Sequence, residues 1–379
     1  MKFTIRDLLL VTIFVAVYAV ESWVSGQSSA FAAEPKGDKE AAFEKWADAP
    51  RLKSDNEYRS RLKELGLESK DAIPVFASKI GNENPRDRRA AAHGLALIGN
   101  QDVSAALPAL LQAAKDTDKD VRRTAVMGLG DIGAPPEHAI PAIVAVLESD
   151  ESYTAARALA EFGPKAEPAI GPLTKALSYK NSIARSSSAE ALGKIGPAAR
   201  ASAPALRKAL KDEDESARGF AAWAIWKVEG IASPDVIDAL IELLETHDIL
   251  TGLRAIETLG DIGPPAKAAL PALAKARTKG HPFFAAPVIW ATGCIHEEKD
   301  LVPRLMLELS NKEPNTRSGA SWALGKMGPD AREAVPELRK LFFDDKIGYG
   351  QLFVRQALER IEGREKTAEW IEPMKKPRK

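Results

Sequence analysis

The chain has 379 residues, 45% of them hydrophobic, with 53 Lys and Arg against 53 Asp and Glu and a single cysteine, Cys294. Such a chain can bury a sizeable core, but its balanced charge argues against a general polyanion binder. One cysteine excludes both an intramolecular disulfide framework and a thiolate metal cluster. At the N-terminus, Lys2 and Arg6 precede an uninterrupted apolar run, Leu8–Val20, that ends at Glu21. A helix needs about 20 apolar residues to cross a bilayer core of about 30 Å. The run falls short of that and reads as the hydrophobic part of a signal peptide, with an A-x-A cleavage site at Ala30-Phe31-Ala32. Residues 1–32 are therefore expected to be a cleaved signal peptide. The alternative is an anchor, with membrane contact only through residues 1–24. Either way the body of the protein is expected in the periplasm or another extracytoplasmic space.

Residues 33–56 read as a charged linker in which Lys39–Ala49 can form a short amphipathic helix, with Phe43 and Trp46 on one face. Beyond it the chain repeats. The segments beginning at Val121, Ala184 and Thr316 are versions of one unit, each closing on an L-G-x-I-G or related element. The closing residues are Gly66, Gly99, Gly133, Gly163, Gly196, Glu229, Gly263, His296, Gly328 and Glu362, evenly spaced along the chain. A period of about 33 residues sustained over ten units is the signature of a solenoid.

Each unit reads as two helices. Ahead of the closing residue, small or apolar side chains recur eight, five, four and one positions back, as in Ala91, Gly94, Leu95 and Ile98 or Ala125, Gly128, Leu129 and Ile132. At about 100° per residue these fall on one stripe. After the closing residue comes a turn and a second apolar helix. Pro108, Pro141, Pro204, Pro271, Pro303 and Pro336 recur near its start, where a missing N–H leaves no bond unmade. Neither helix buries its stripe alone, so stability has to come from stacking.

The pattern D-x-x-V-R-x-x-A-x-x-A-L-G-x-I-G followed by A-x-P-x-L resembles the HEAT repeat, in the short bacterial version named after phycobilisome lyases. The resemblance implies an all-α fold, a right-handed α-solenoid of about ten helix pairs over residues 57–366, followed by a basic tail, 367–379. The chain departs from the pattern in the first unit, which has Arg61 at a small-residue position, in the unit ending at His296, which has Pro287 inside its helix, and in the last, which lacks a closing glycine. Capping or a kink is expected there.

An Arg eleven positions before the closing residue recurs as Arg88, Arg122, Arg185, Arg218 and Arg317, four residues after Asp118, Asp214 and Glu313 in three of the units. Its place at the flank of the helix seam favours pairing with loop carboxylates and carbonyls over a phosphate-binding ladder. The position six before the closing residue points away from the stripe. It reads His93, Met127, Arg157, Glu190, Trp223, Glu257, Trp290, Trp322 and Gln356. The resemblance implies that this helix lines the concave side of the superhelix, and indoles exposed there need a cover. The expected binding residues are therefore Trp223, Trp226, Trp290, Trp322, Phe220, Arg254, Glu257 and Glu190, with the C-terminal half as the main contact and Met127 and Arg157 of lesser weight.

No catalytic or metal-binding residues and no cofactor are expected. Among five histidines only His296 is followed by a glutamate, whereas the HEAT-like di-iron hydroxylases that act on deoxyhypusine use several His-Glu pairs. Cys294 reads as a small inert side chain. The positions two before the closing residue, Asp131, Glu161, Lys194, Lys227, Asp261 and Lys326, are mixed in sign, which argues against a nucleic-acid groove. The expectation is an exported, non-catalytic, monomeric scaffold that holds a protein or peptide in its concave groove. The alternatives are a HEAT-like enzyme, as chromophore lyase or metal-dependent hydroxylase, and a nucleic-acid-binding HEAT-like protein.

Overall fold

The computed structural model describes residues 39–48, 55–68, 70–148, 152–343, 350–364 and 366–367. The export segment and residues 368–379 of the basic tail lie outside the described residues. Those described are helices, 3₁₀ turns and loops, with no strand among them. None of the described helices is long and apolar enough to cross a membrane. They divide into two compact units, one ending at Gly230 and the other starting at Ile231.

The N-terminal unit runs α1 (Lys39–Ala47), α2 (Asp55–Glu64), α3 (Ile73–Lys79), α4 (Pro85–Ile98), α5 (Val103–Ala113), α6 (Lys119–Asp131), α7 (Pro136–Leu147), α8 (Ser152–Glu161), α9 (Ile170–Ala176), α10 (Ser182–Ile195), α11 (Ala203–Ala209) and α12 (Glu215–Glu229). The C-terminal unit runs α13 (Pro234–Leu243), α14 (Ile249–Ile262), α15 (Leu270–Lys279), α16 (Ala285–His296), α17 (Leu301–Glu308), α18 (Pro314–Met327), α19 (Val335–Phe342) and α20 (Gly350–Glu362). Within each unit the even-numbered helices from α4 onward are the first helices of successive repeats and stack side by side, and the odd-numbered ones back them as a second layer.

Local chemistry sets the ends of these helices. Side-chain caps start many of the first helices: Asn84 accepts from the Arg86 N–H, Asp118 from those of Asp120 and Val121, Asn181 from those of Ile183 and Ala184, and Asp214 from that of Ala217. Most stop at a residue with positive φ, where glycine avoids the Cβ penalty. The closing glycines 66, 133, 163, 196, 263 and 328 have positive φ, and where the closing residue is not glycine the next one takes over, at Gly230, Glu297 and Gly363. The unit ending at Glu362 therefore does have its glycine, one position later than the repeat ruler indicates. Gly99 differs in keeping an ordinary right-handed helical backbone.

The expected stripe is the core. Ala91, Leu95, Ile98, Ala125, Leu129, Ala191, Leu192 and Ile195 are all buried. Its small residues let helices approach closely: a Cβ on Gly128 would stand 3.0 Å from the Ala96 Cβ. The first repeat is capped, as its departure from the pattern implies. Phe43 and Trp46 of α1 lie edge-on to Phe76, and the Trp46 indole N–H donates to the Ala90 carbonyl at 2.9 Å. The expected kink at Pro287 does not occur. Pro287 sits in the first turn of α16, where no intrahelical donor is missing. Pro204, Pro271, Pro303 and Pro336 begin second helices as expected. Pro108 and Pro141 instead lie inside α5 and α7, because those helices start more than a turn further upstream than their counterparts.

The recurring Arg is a structural clamp. Its Nη1 donates to the two carbonyls six and five residues earlier in all five cases: Asn82 and Glu83 for Arg88, Asp116 and Thr117 for Arg122, Tyr179 and Lys180 for Arg185, Asp212 and Glu213 for Arg218, and Asn311 and Lys312 for Arg317. In two of the units a carboxylate from the next repeat's loop completes the clamp. Arg88 grips Asp116 through two bonds at 2.6 and 2.8 Å, and Arg185 grips Asp212 through two at 2.7 Å. Asp118 and Asp214, the carboxylates four residues before an Arg, are helix caps, because their position at the helix start turns them onto backbone N–H groups.

Candidate partner-binding face

The first helices present two side chains per repeat away from the core, six and two positions before the closing residue. One turn apart, they are neighbours on the surface. In the C-terminal unit this face is closed. Trp290 and Trp322 are 6% and 9% exposed, and they pack edge to face with ring centres 5.7 Å apart. The Trp290 ring lies on Gly260, where a Cβ would come within 2.4 Å of it. The Lys326 ammonium sits 5.2 Å from the Trp290 ring centre and bonds to Glu257 at 2.8 Å and Asp261 at 3.2 Å. Burial acts to lower the Lys326 pKa, but Glu257 and Asp261 outweigh it and hold the ammonium above its ordinary value.

The expected exposed ridge over Trp290 and Trp322 is thus corrected: both rings are interior packing. On an isolated helix their position faces outward. In the stack, the next helix stands close enough for so large a side chain to lie across it. Glu257 is occupied by Lys326, and Arg254 is half-buried on the preceding turn. Cys294 is half-buried and burial pushes its thiol up, with Asp261 adding to the shift, which suits an inert side chain.

In the N-terminal unit the same face is open in part. Met127 is 46% exposed, and Arg157, Glu190, Trp223, Trp226 and Phe220 are half-buried. Trp223 is held from below by Gly193, where a Cβ would come within 2.2 Å of its ring. Lys194 bonds to Glu161 at 3.1 Å and lies 3.5 Å from Glu190. Lys227, the equivalent of Lys194 one repeat on, is exposed and stands 4.5 Å from the Trp226 ring centre and 5.9 Å from that of Trp223. The register explains the difference. The two positions that supply Glu190 and Glu161 to Lys194 hold Trp223 and Lys194 for Lys227.

The structure therefore separates the expected site residues into an N-terminal set, Glu190, Phe220, Trp223 and Trp226, and a C-terminal set that packs on itself. Sequence reasoning passed over Lys227 as one member of a mixed row. The signal was the lack of an acid at both of its neighbouring positions. Among the described residues no group of three or more His, Cys, Asp or Glu is placed to hold a metal ion.

The HEAT repeats family matches residues 73–154, 152–225 and 203–291, more than half of the chain. The chain belongs to the HEAT repeat family. No curated protein matches it. Similar solved structures include an engineered protein, with 22% identity over 86% of this chain and 95% of that one at a TM-score of 0.44. They also include the complex of CpcE and CpcF of phycocyanin lyase from Nostoc sp. PCC7120, with 21% identity over 74% and 98% at 0.44, and YIBA of Escherichia coli, with 16% identity over 88% and 99% at 0.39.

Proposed function

We propose that this HEAT-repeat protein is an exported, non-catalytic scaffold that holds a segment of a partner protein against the first-helix face of its N-terminal unit. One observation carries the reading: after folding, Trp223 and Trp226 stay half-exposed on a firm base, whereas the equivalent rings of the C-terminal unit are consumed by packing. Half-exposed indoles fixed in place are the residues that dominate interface energies. The N-terminal segment supports export by its charge and its short apolar run.

The test is quantitative capture from the envelope fraction with tagged full-length protein and its Trp223→Ala and Trp226→Ala variants, each checked for an unchanged helical spectrum. A partner held by this face is depleted about thirtyfold or more, which corresponds to roughly 2 kcal/mol for an interface anchor. Equal recovery by wild type and both variants would overturn the proposal.

A further inference from the structure

We infer that the face bounded by Arg157 and Lys227 reads an acidic, extended peptide segment, with one carboxylate set on Lys227 above the Trp223 and Trp226 rings. The inference rests on the proposed partner-binding role of this face and specifies the chemistry of the partner.

The molecule contains the fitted version of the same device. In the C-terminal unit, a lysine two positions before a closing residue lies over an indole, and Glu257 and Asp261 come to its ammonium. Lys194, in the N-terminal unit, likewise has two carboxylates. Lys227 has the indoles and lacks the acid. Among the described residues it meets only the two rings. The two rings hold the exposed ammonium in place, so a carboxylate arriving there loses less side-chain freedom than at an ordinary surface lysine.

A second cation fixes the length of the segment. Arg157 occupies the outward position two repeats before Trp223 and has no ion pair among the described residues. Between it and Lys227, the Lys194 ammonium is taken up by Glu161 and Glu190, which leaves one carboxylate in excess there and confines the acids of the segment to its two ends. Two helix intervals at about 10 Å each separate the cations by roughly 20 Å, the reach of about six extended residues. The occupant is thus a segment with acids about six residues apart and an apolar side chain beside the C-terminal-side indoles. The planar Arg157 fork suits a bidentate carboxylate.

The probes are two synthetic decapeptides that are identical except that one carries Glu at positions 2 and 8 and the other Gln, with leucine at position 7. Binding to full-length protein is followed by calorimetry and by the change in indole emission. The Glu peptide is expected to bind at least tenfold tighter than the Gln peptide. Lys227→Gln and Arg157→Gln should each remove most of that preference, Lys227→Arg should restore it, and raising the salt from about 50 to about 300 mM should weaken it severalfold. Equal affinity for both peptides, or an unchanged preference in Lys227→Gln, overturns the inference. Concentration-dependent dimers that Lys227→Gln dissolves would also overturn it, by making the occupant a second copy of the chain. Failure here is distinguishable from failure of the broader reading. A captured partner that is lost with Trp226→Ala but kept with Lys227→Gln leaves the scaffold standing and removes the acidic specificity.

Discussion

The two units carry the same pair of side chains on the same face and use them differently. In the C-terminal unit Lys326 crosses Trp290 to reach Glu257 and Asp261, and Trp322 closes the remaining gap. In the N-terminal unit Lys227 stands over Trp223 and Trp226 and has no ion pair among the described residues. A recurring outward position is therefore not a recurring function: whether it becomes packing or a surface depends on what the neighbouring repeats place next to it.

The comparison is sharpened most by truncating the equivalent rings. Trp290→Ala should destabilise the protein by about 4 kcal/mol, as loss of a buried indole does, and Trp223→Ala by about half of that, read as shifts in the denaturant midpoint. Similar values for both would mean that the two faces are equally closed.

A clamp variant provides the control, since the clamp serves the stack and not the face. Arg185→Ala should cost about 3 kcal/mol, because it leaves Asp212 nearly buried without its guanidinium. Burial acts to raise the Asp212 pKa, but the Arg185 bonds and the Asp214 N–H outweigh it and hold the carboxyl below its ordinary range. The stabilisation is thus present at neutral pH and lost as pH falls through that depressed value. Acid unfolding followed by circular dichroism should show this decline in wild type and lack it in Arg185→Ala.

Lys326→Gln should lower stability by about 1 kcal/mol, whereas Lys227→Gln should leave it within about 0.5 kcal/mol, as surface changes do. Because the Lys326 pKa is raised, its contribution is complete below the ordinary lysine value and lost as pH climbs through the raised one. The alkaline decline in stability should therefore be steeper in wild type than in Lys326→Gln. An effect of opposite sign concerns Glu297, the non-glycine residue in the left-handed region among those described, at a φ of 57°. Glu297→Gly should stabilise the C-terminal unit by about 1 kcal/mol by removing the Cβ strain. A loss of thermal stability would indicate that the Glu297 side chain has a compensating contact.

The repeat, the two-helix unit, the buried stripe and the inert clamp were legible in the sequence, because each depends on spacing along one helix or on contact with the adjacent loop. The repeat period, the small stripe and the stop signals act locally and recur from unit to unit, so errors in one unit are corrected by the others. Even the shifted stops at Gly230, Glu297 and Gly363 fall immediately after the positions the ruler marks. What only the tertiary structure decided is the fate of the outward positions. An angle on a single helix says which way Trp290 leaves its backbone. It does not say that Gly260 opens a seat for the ring or that Trp322 and Lys326 arrive from the next repeat to cover it. Burial of a side chain is a property of the space between helices, and that space is set by residues one or two repeats away along the chain.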